Sequence, residues 1–147
     1  MQNRGIFWGT LATTGLLDLL VKFLVRKYLV VPIQILPFFK LEFVENPHLA
    51  FGFELGQIWI VLFSFVALLL LGNIFVKNVR KSSKIGAFAF GLIFGGALAN
   101  LGERIFFSRV TDFIALAPIP NFNLADAALS IGVATLVLFY SKIFQKN

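Results

Sequence analysis

Two aspartates, Asp112 and Asp126, lie on either side of a Pro118-Ile119-Pro120 break, each next to an apolar run. An out-and-back hairpin across that break brings them to a similar depth. Two close carboxylates in a low-dielectric setting resist ionising together, so they share a proton and titrate as a pair. The ionised member can then activate water while the protonated member hydrogen-bonds a scissile carbonyl. That is aspartyl-peptidase chemistry, with no metal and no covalent intermediate. A second reading needs no catalysis. Asn123 is placed as a helix N-cap, which puts Asp126 at the third helical position, where free amides and the helix dipole stabilise an acid. Asp112 could then pair with Arg109 at the surface. If the pair is catalytic, the dipole favours Asp126 as the ionised partner.

Other polar residues recur at helical spacing. Asp18 and Lys22 share one face of an apolar helix. Charges inside a membrane are costly and face the protein interior, either as a structural ion pair or as a wall of a site. Asn100 and Arg104 are spaced the same way, with Gly96 one turn earlier. Arg104 suits either an interfacial anchor or a substrate contact. Asn46 suits a turn cap or a hydrogen bond to a peptide. His48 is the single histidine, and in this setting a lone histidine is more readily a local hydrogen bonder than a catalyst.

The elements that position these residues follow from composition. The chain has 147 residues, of which 59% are hydrophobic and 14% charged. It cannot make the polar surface of a soluble domain, so lipid must be the solvent for much of it. Apolar segments at about 6–30, 57–76, 85–107 and 124–144 can each cross roughly 30 Å of hydrocarbon as a helix. The expectation is one integral-membrane domain over 1–147 with four transmembrane helices, all-α apart from a small extramembrane β element. Leu41–Glu45 reads as the strand, in a platform made apolar by Phe38, Phe39, Phe43, Phe51 and Phe53. Asp18 and Lys22 interrupt the first apolar run, and no small-residue cleavage site follows it, which argues against a secretory signal peptide. Gly91 and Gly95 form a small-xxx-small pair suited to close helix packing.

The loop Lys77-Asn78-Val79-Arg80-Lys81-Ser82-Ser83-Lys84 is short and basic, so it and both termini are expected on the cytoplasmic side. None of the seven acids then lies on that side, and carboxylates gathered at the outer face suggest a site there. The absence of cysteine excludes thiol catalysis and disulfides, and one histidine cannot build a multi-histidine metal centre. Neither a metal nor a cofactor is expected. The net charge of +6 flanks apolar spans and forms no polar binding face, which argues against nucleic acid.

Taken together, several segments resemble lipoprotein signal peptidase, the signal peptidase II family. They are Asp18-x3-Lys22, Phe43-Val44-Glu45-Asn46, Ala50-Phe51-Gly52, Gly95-Gly96-Ala97-Leu98-Ala99-Asn100, Arg104, Val110-Thr111-Asp112-Phe113-Ile114 and Phe122-Asn123-Leu124-Ala125-Asp126. The resemblance covers nearly the whole chain, and the last two segments are the most specific. It implies a bacterial inner-membrane endopeptidase; a monomer is expected. Such an enzyme removes the signal peptide from prolipoproteins carrying a diacylglyceryl group, cutting before the lipidated cysteine. It implies Asp112 and Asp126 as the catalytic pair, with Asp18, Lys22, Asn46, Asn100, Arg104 and Asn123 binding substrate or supporting the dyad. It also implies a short amphipathic helix on the outer face. The chain departs from the family pattern at Pro47 and His48, at Ala99, at Glu103, and in a shorter segment between the aspartates. Two further readings stay open: a non-catalytic lipid- or lipoprotein-binding relative, and a small transporter using Asp18, Lys22 and Asp126.

Overall fold

The computed structural model describes residues 2–47, 56–78 and 83–144. Each of the four apolar segments carries a helix. Helix α1 spans Gln2–Tyr28, α2 Gln57–Asn78, α3 Lys84–Phe107 and α4 Leu124–Leu138, with a short α5 over Tyr140–Phe144. Strand β1 covers Ile33–Leu36, β2 Phe39–Asn46 and β3 Val110–Leu116. Three helices, α1 to α3, are long and apolar enough to cross a membrane, and α4 is a shorter apolar helix.

Local chemistry sets the boundaries. Helix α1 closes with Leu29 N–H on Val25 O at 2.9 Å, just ahead of Val30, Val31 and Pro32. Proline disfavours helical geometry in the residue before it, and β-branched residues favour extended chain. Ser83 caps α3 by accepting from Gly86 N–H at 3.2 Å. Ser108 ends α3 in the left-handed region, at φ 57°. The expected span 124–144 is divided at Phe139, which leaves helical geometry, into α4 and α5. One turn earlier the Thr135 hydroxyl donates back to Ile131 O at 2.7 Å, a contact of the kind that bends helices.

Helix α3 is central, packed against α1, α2 and α4. A Cβ on Gly95 would lie 2.7 Å from Leu11 O and 2.9 Å from Thr14 Cβ, so only glycine lets α1 and α3 approach this closely. The neighbouring Gly96 does the same for α4, where an added Cβ would collide with Ala125 O. Outward faces are apolar and exposed, as at Leu16, Phe63, Leu70 and Val137. Such faces suit a lipid solvent.

The β element is larger than the single expected strand. It is an antiparallel sheet in the order β1-β2-β3, so the fold is mostly helical without being all-α. Val110–Leu116, expected only as the chain following span three, is rich in β-branched and apolar residues and forms β3. A bulge in β2 between Leu41 and Val44 changes the register against β3. Beyond it Val44 faces Asp112 and Asn46 faces Val110. Among the described residues no separate amphipathic helix joins this sheet. His48, Phe51 and Phe53 lie outside the described residues, as does Val79–Ser82 of the basic loop.

Candidate active site

The site begins at the start of α4. A helix N-terminus presents amides with no partner inside the helix, and a buried one must find them elsewhere. Asn123 supplies a full capping box: its Oδ1 accepts from Asp126 N–H at 2.9 Å, and Asp126 Oδ2 accepts from Asn123 N–H at 3.3 Å. Asp18 reaches across from α1 to accept Ala125 N–H at 2.8 Å. The cap reading of Asp126 therefore holds locally.

The same cap also reaches Asp112. Asn123 Nδ2 donates to Asp112 Oδ1 at 2.8 Å, so one asparagine binds both carboxylates. Asn46 Nδ2 donates to the other oxygen, Asp112 Oδ2, at 2.8 Å. Asn100 Nδ2 donates to Asp126 Oδ1 at 2.8 Å. Arg109 pairs with Glu45 at 2.8 Å, so the Arg109–Asp112 surface pair of the non-catalytic reading does not form. Arg109 and Glu45 are exposed, and a charge pair costs least where water solvates both ends.

Asp112 is 2% exposed. Burial pushes its carboxyl up to about 6, and repulsion from Asp126 adds to the rise, while the amides of Asn46 and Asn123 oppose it. A carboxyl raised in this way still exchanges its proton near neutral pH.

Both aspartates line a cleft of about 710 Å³. Asn46 and Val44 of β2, Arg104 of α3, Phe122, and Ser130 and Ile131 of α4 form its walls. The turn carrying Ile119, Pro120 and Asn121 closes one side. Asn121 Nδ2 donates to Glu42 Oε1 at 2.9 Å, and Lys40 meets Glu42 at 2.7 Å. These contacts, that to Lys40 first, hold the Glu42 carboxyl below its ordinary range. The cleft walls are apolar apart from a few convergent polar groups, and its size suits an extended peptide segment.

Behind the aspartates lies a buried ionic cluster. Lys22 is 1% exposed and contacts Asp18 at 2.7 Å, Glu103 at 2.9 Å and Asn100 Oδ1 at 2.6 Å. Glu103 also pairs with Arg26 and accepts Thr111 N–H at 3.0 Å. In the sequence Glu103 stands out only as a departure from the family pattern, and Arg26 and Thr111 carry no expected role. A signal was present, since Asp18, Lys22 and Arg26 repeat every four residues along one helix face. All eight candidate residues from the sequence therefore fall in the cleft or its supporting network. Among the described residues, no group of three or more His, Cys, Asp or Glu is placed to hold a metal ion.

The model of the family described as Signal peptidase (SPase) II matches residues 10–142 of this chain. The chain belongs to the signal peptidase II family. A lipoprotein signal peptidase of Chlorobium luteolum is 40% identical over 125 residues, covering 76% of this chain and 75% of that one. The Aquifex aeolicus lipoprotein signal peptidase is 36% identical over 141 residues, covering 90% and 84%. A bacterial membrane enzyme solved by the in meso method at 2.3 Å resolution superposes with a TM-score of 0.81, at 23% identity, over 97% of this chain and 93% of that one. A second, solved by the same method at 1.9 Å, gives 0.76 at 24% identity, covering 94% of each. Those two likenesses concern the fold. Membership of the signal peptidase II family makes the chain a bacterial membrane peptidase.

Proposed function

We propose that this chain is an aspartyl endopeptidase that removes the signal peptide from diacylglyceryl-modified prolipoproteins, cutting before the lipidated cysteine. The observation that carries this reading is the bridge through Asn123, which binds both Asp112 and Asp126 at the wall of one cleft. The curated relatives bear the name lipoprotein signal peptidase, which supplies the substrate class.

The chemistry follows from the donors. Asp126 accepts from Asn123 N–H and from Asn100, which suits it to the ionised role that removes a proton from water. Asp112, with its raised pKa, suits the protonated role that polarises the scissile carbonyl. Water attacks the carbonyl carbon, and the proton taken by Asp126 passes to the leaving nitrogen as the peptide bond breaks. Asn46 and Arg104 flank the pair and suit contacts to the substrate backbone.

In the proposed arrangement α1, α2 and α3 span the membrane. Helices α4 and α5 together form a fourth span, since their combined length is about that of a ~30 Å hydrocarbon core. The basic loop after α2 and both termini are cytoplasmic, and the sheet and cleft lie at the outer face of the inner membrane. The whole chain forms one domain and acts as a monomer. Substrate lipid chains remain in the bilayer and anchor the peptide laterally, which converts a loose encounter into a positioned one.

The test is cleavage of a diacylglyceryl-modified prolipoprotein by purified protein in detergent, beside Asp112→Asn and Asp126→Asn. Cutting before the lipidated cysteine by wild type, lost in both folded variants, supports the reading. Folded wild type that binds this substrate without cutting it would point instead to a non-catalytic relative.

A further inference from the structure

Thr111 and Asp112 are consecutive on β3, so their side chains leave opposite faces of the strand. Asp112 faces the cleft. Thr111 is gripped from behind. Its N–H donates to Glu103 Oε2 at 3.0 Å, and its hydroxyl oxygen accepts from Arg26 Nε at 2.8 Å and lies 3.3 Å from Glu103 Oε1. Two residues further on, Phe113 N–H and Ile114 N–H both donate to Phe122 O, at 3.1 and 2.9 Å. The outer edge of β3 is thus completed on either side of Asp112, by a side-chain carboxylate before it and by backbone after it.

Glu103 is suited to hold that edge still. It is 2% exposed, and Lys22 and Arg26 of α1 fix its two oxygens. Arg26 is steadied in turn by the Phe107 ring, 5.0 Å from its guanidinium carbon. We infer that Glu103, backed by Arg26 and acting through Thr111, is a positioning residue that sets the height of Asp112 in the cleft. This inference rests on the dyad reading. It assigns a role to a residue with no direct contact to either aspartate, and it makes the reach of the Glu103 side chain part of the catalytic geometry.

The test compares Glu103→Asp, which keeps the charge and shortens the reach, with Glu103→Gln, which keeps the reach and removes the charge. Full-length protein in detergent is assayed for kcat, KM and thermal midpoint over a range of pH. Charged groups acting on Asp112 are Lys22 from α1, Arg104 from α3 and Asp126 from α4, with Glu103 behind the strand on Thr111 and Glu45 and Arg109 paired at the sheet edge. A shift of about 1 Å at a reacting group can cost about 100-fold, so Glu103→Asp is expected to lower kcat about 10- to 100-fold with KM within about threefold. Its alkaline limb stays in place, because no charge is lost. Glu103→Gln leaves Lys22 and Arg26 in excess, so its alkaline limb moves to lower pH as kcat falls. A purely structural role would lower the thermal midpoint and leave kcat of folded Glu103→Asp at the wild-type value.

Folded Glu103→Asp with wild-type kcat overturns the inference. If neither Glu103 variant folds, Thr111→Val decides, since it removes the hydroxyl contacts to Arg26 and Glu103 while keeping the β-branched shape. Wild-type kcat in that variant also overturns it. Asp112→Asn and Asp126→Asn are run alongside. If they still cleave, the dyad reading fails; if they are inactive while Glu103→Asp equals wild type, only the positioning role fails.

Discussion

Two clusters of carboxylates sit a few side chains apart and are held in different ways. Asp18 and Glu103 are met by cations: Lys22 touches both and Arg26 touches one. Asp112 and Asp126 accept instead from asparagine amides, those of Asn46, Asn100 and Asn123, and from one backbone N–H. A carboxylate clasped by a lysine or arginine is locked in place by its ion pair. A carboxylate held by neutral donors keeps its orientation and can still gain or lose a proton. The first cluster suits a brace and the second suits chemistry, and Asn100 joins them by accepting from Lys22 while donating to Asp126.

The comparison is broken most directly by exchanging the roles. Asp112→Asn and Asp126→Asn should each lower cleavage about 10³- to 10⁴-fold, the upper range for one acid or base, with thermal midpoints near wild type. Lys22→Met should do the reverse in kind. It strands Asp18 and Glu103 without their shared cation, and breaking a buried pair costs roughly 3–5 kcal/mol, read as a lower thermal midpoint in detergent.

The pH dependence sharpens the contrast. Asp112 holds its proton to about 6, against an ordinary value of 3.8, so the folded state binds more protons in that window. Its contribution to stability is complete below 3.8 and is lost as pH rises through about 6. The same titration should appear in kcat/KM as an alkaline limb that begins near pH 6 in the free enzyme. Asn46 opposes the rise, so Asn46→Leu should move that limb to higher pH. The smallest effect lies away from both clusters. Ser108 holds φ 57°, and Ser108→Gly should raise stability by about 0.5–1 kcal/mol, seen as a small increase in thermal midpoint with cleavage unchanged.

Much of this was legible in the residues. Apolar runs marked the helices, because lipid leaves a spanning chain few other choices. Asn123 and Asp126 were readable as a cap from spacing alone. The sheet was harder. Strand β3 follows a long helix without a glycine or proline to mark the change, and its pairing with β2 is non-local. The β2 bulge was beyond pattern reading. Without its extra residue the alternation would run through Phe43 and Glu45, and Glu45 would face the same side as Asp112. With it, Asn46 takes that place and an amide replaces a like charge. Glu103 and Arg26 were obscured for a related reason, since their common partner Thr111 lies on a strand the sequence did not announce.

The contact between Asp18 and Ala125 N–H joins α1 to the start of α4. Order of synthesis then has a consequence. While only α1 to α3 have been made, the Asp126 carboxylate and the Asn123 bridge do not yet exist, and Asp18 has its lysine without the amide it will cap. On the dyad reading proposed above, the site is therefore incomplete until α4 arrives. On that reading a chain still lacking α4 leaves the signal peptides inserted beside it uncut, and cleavage begins once α4 is in place.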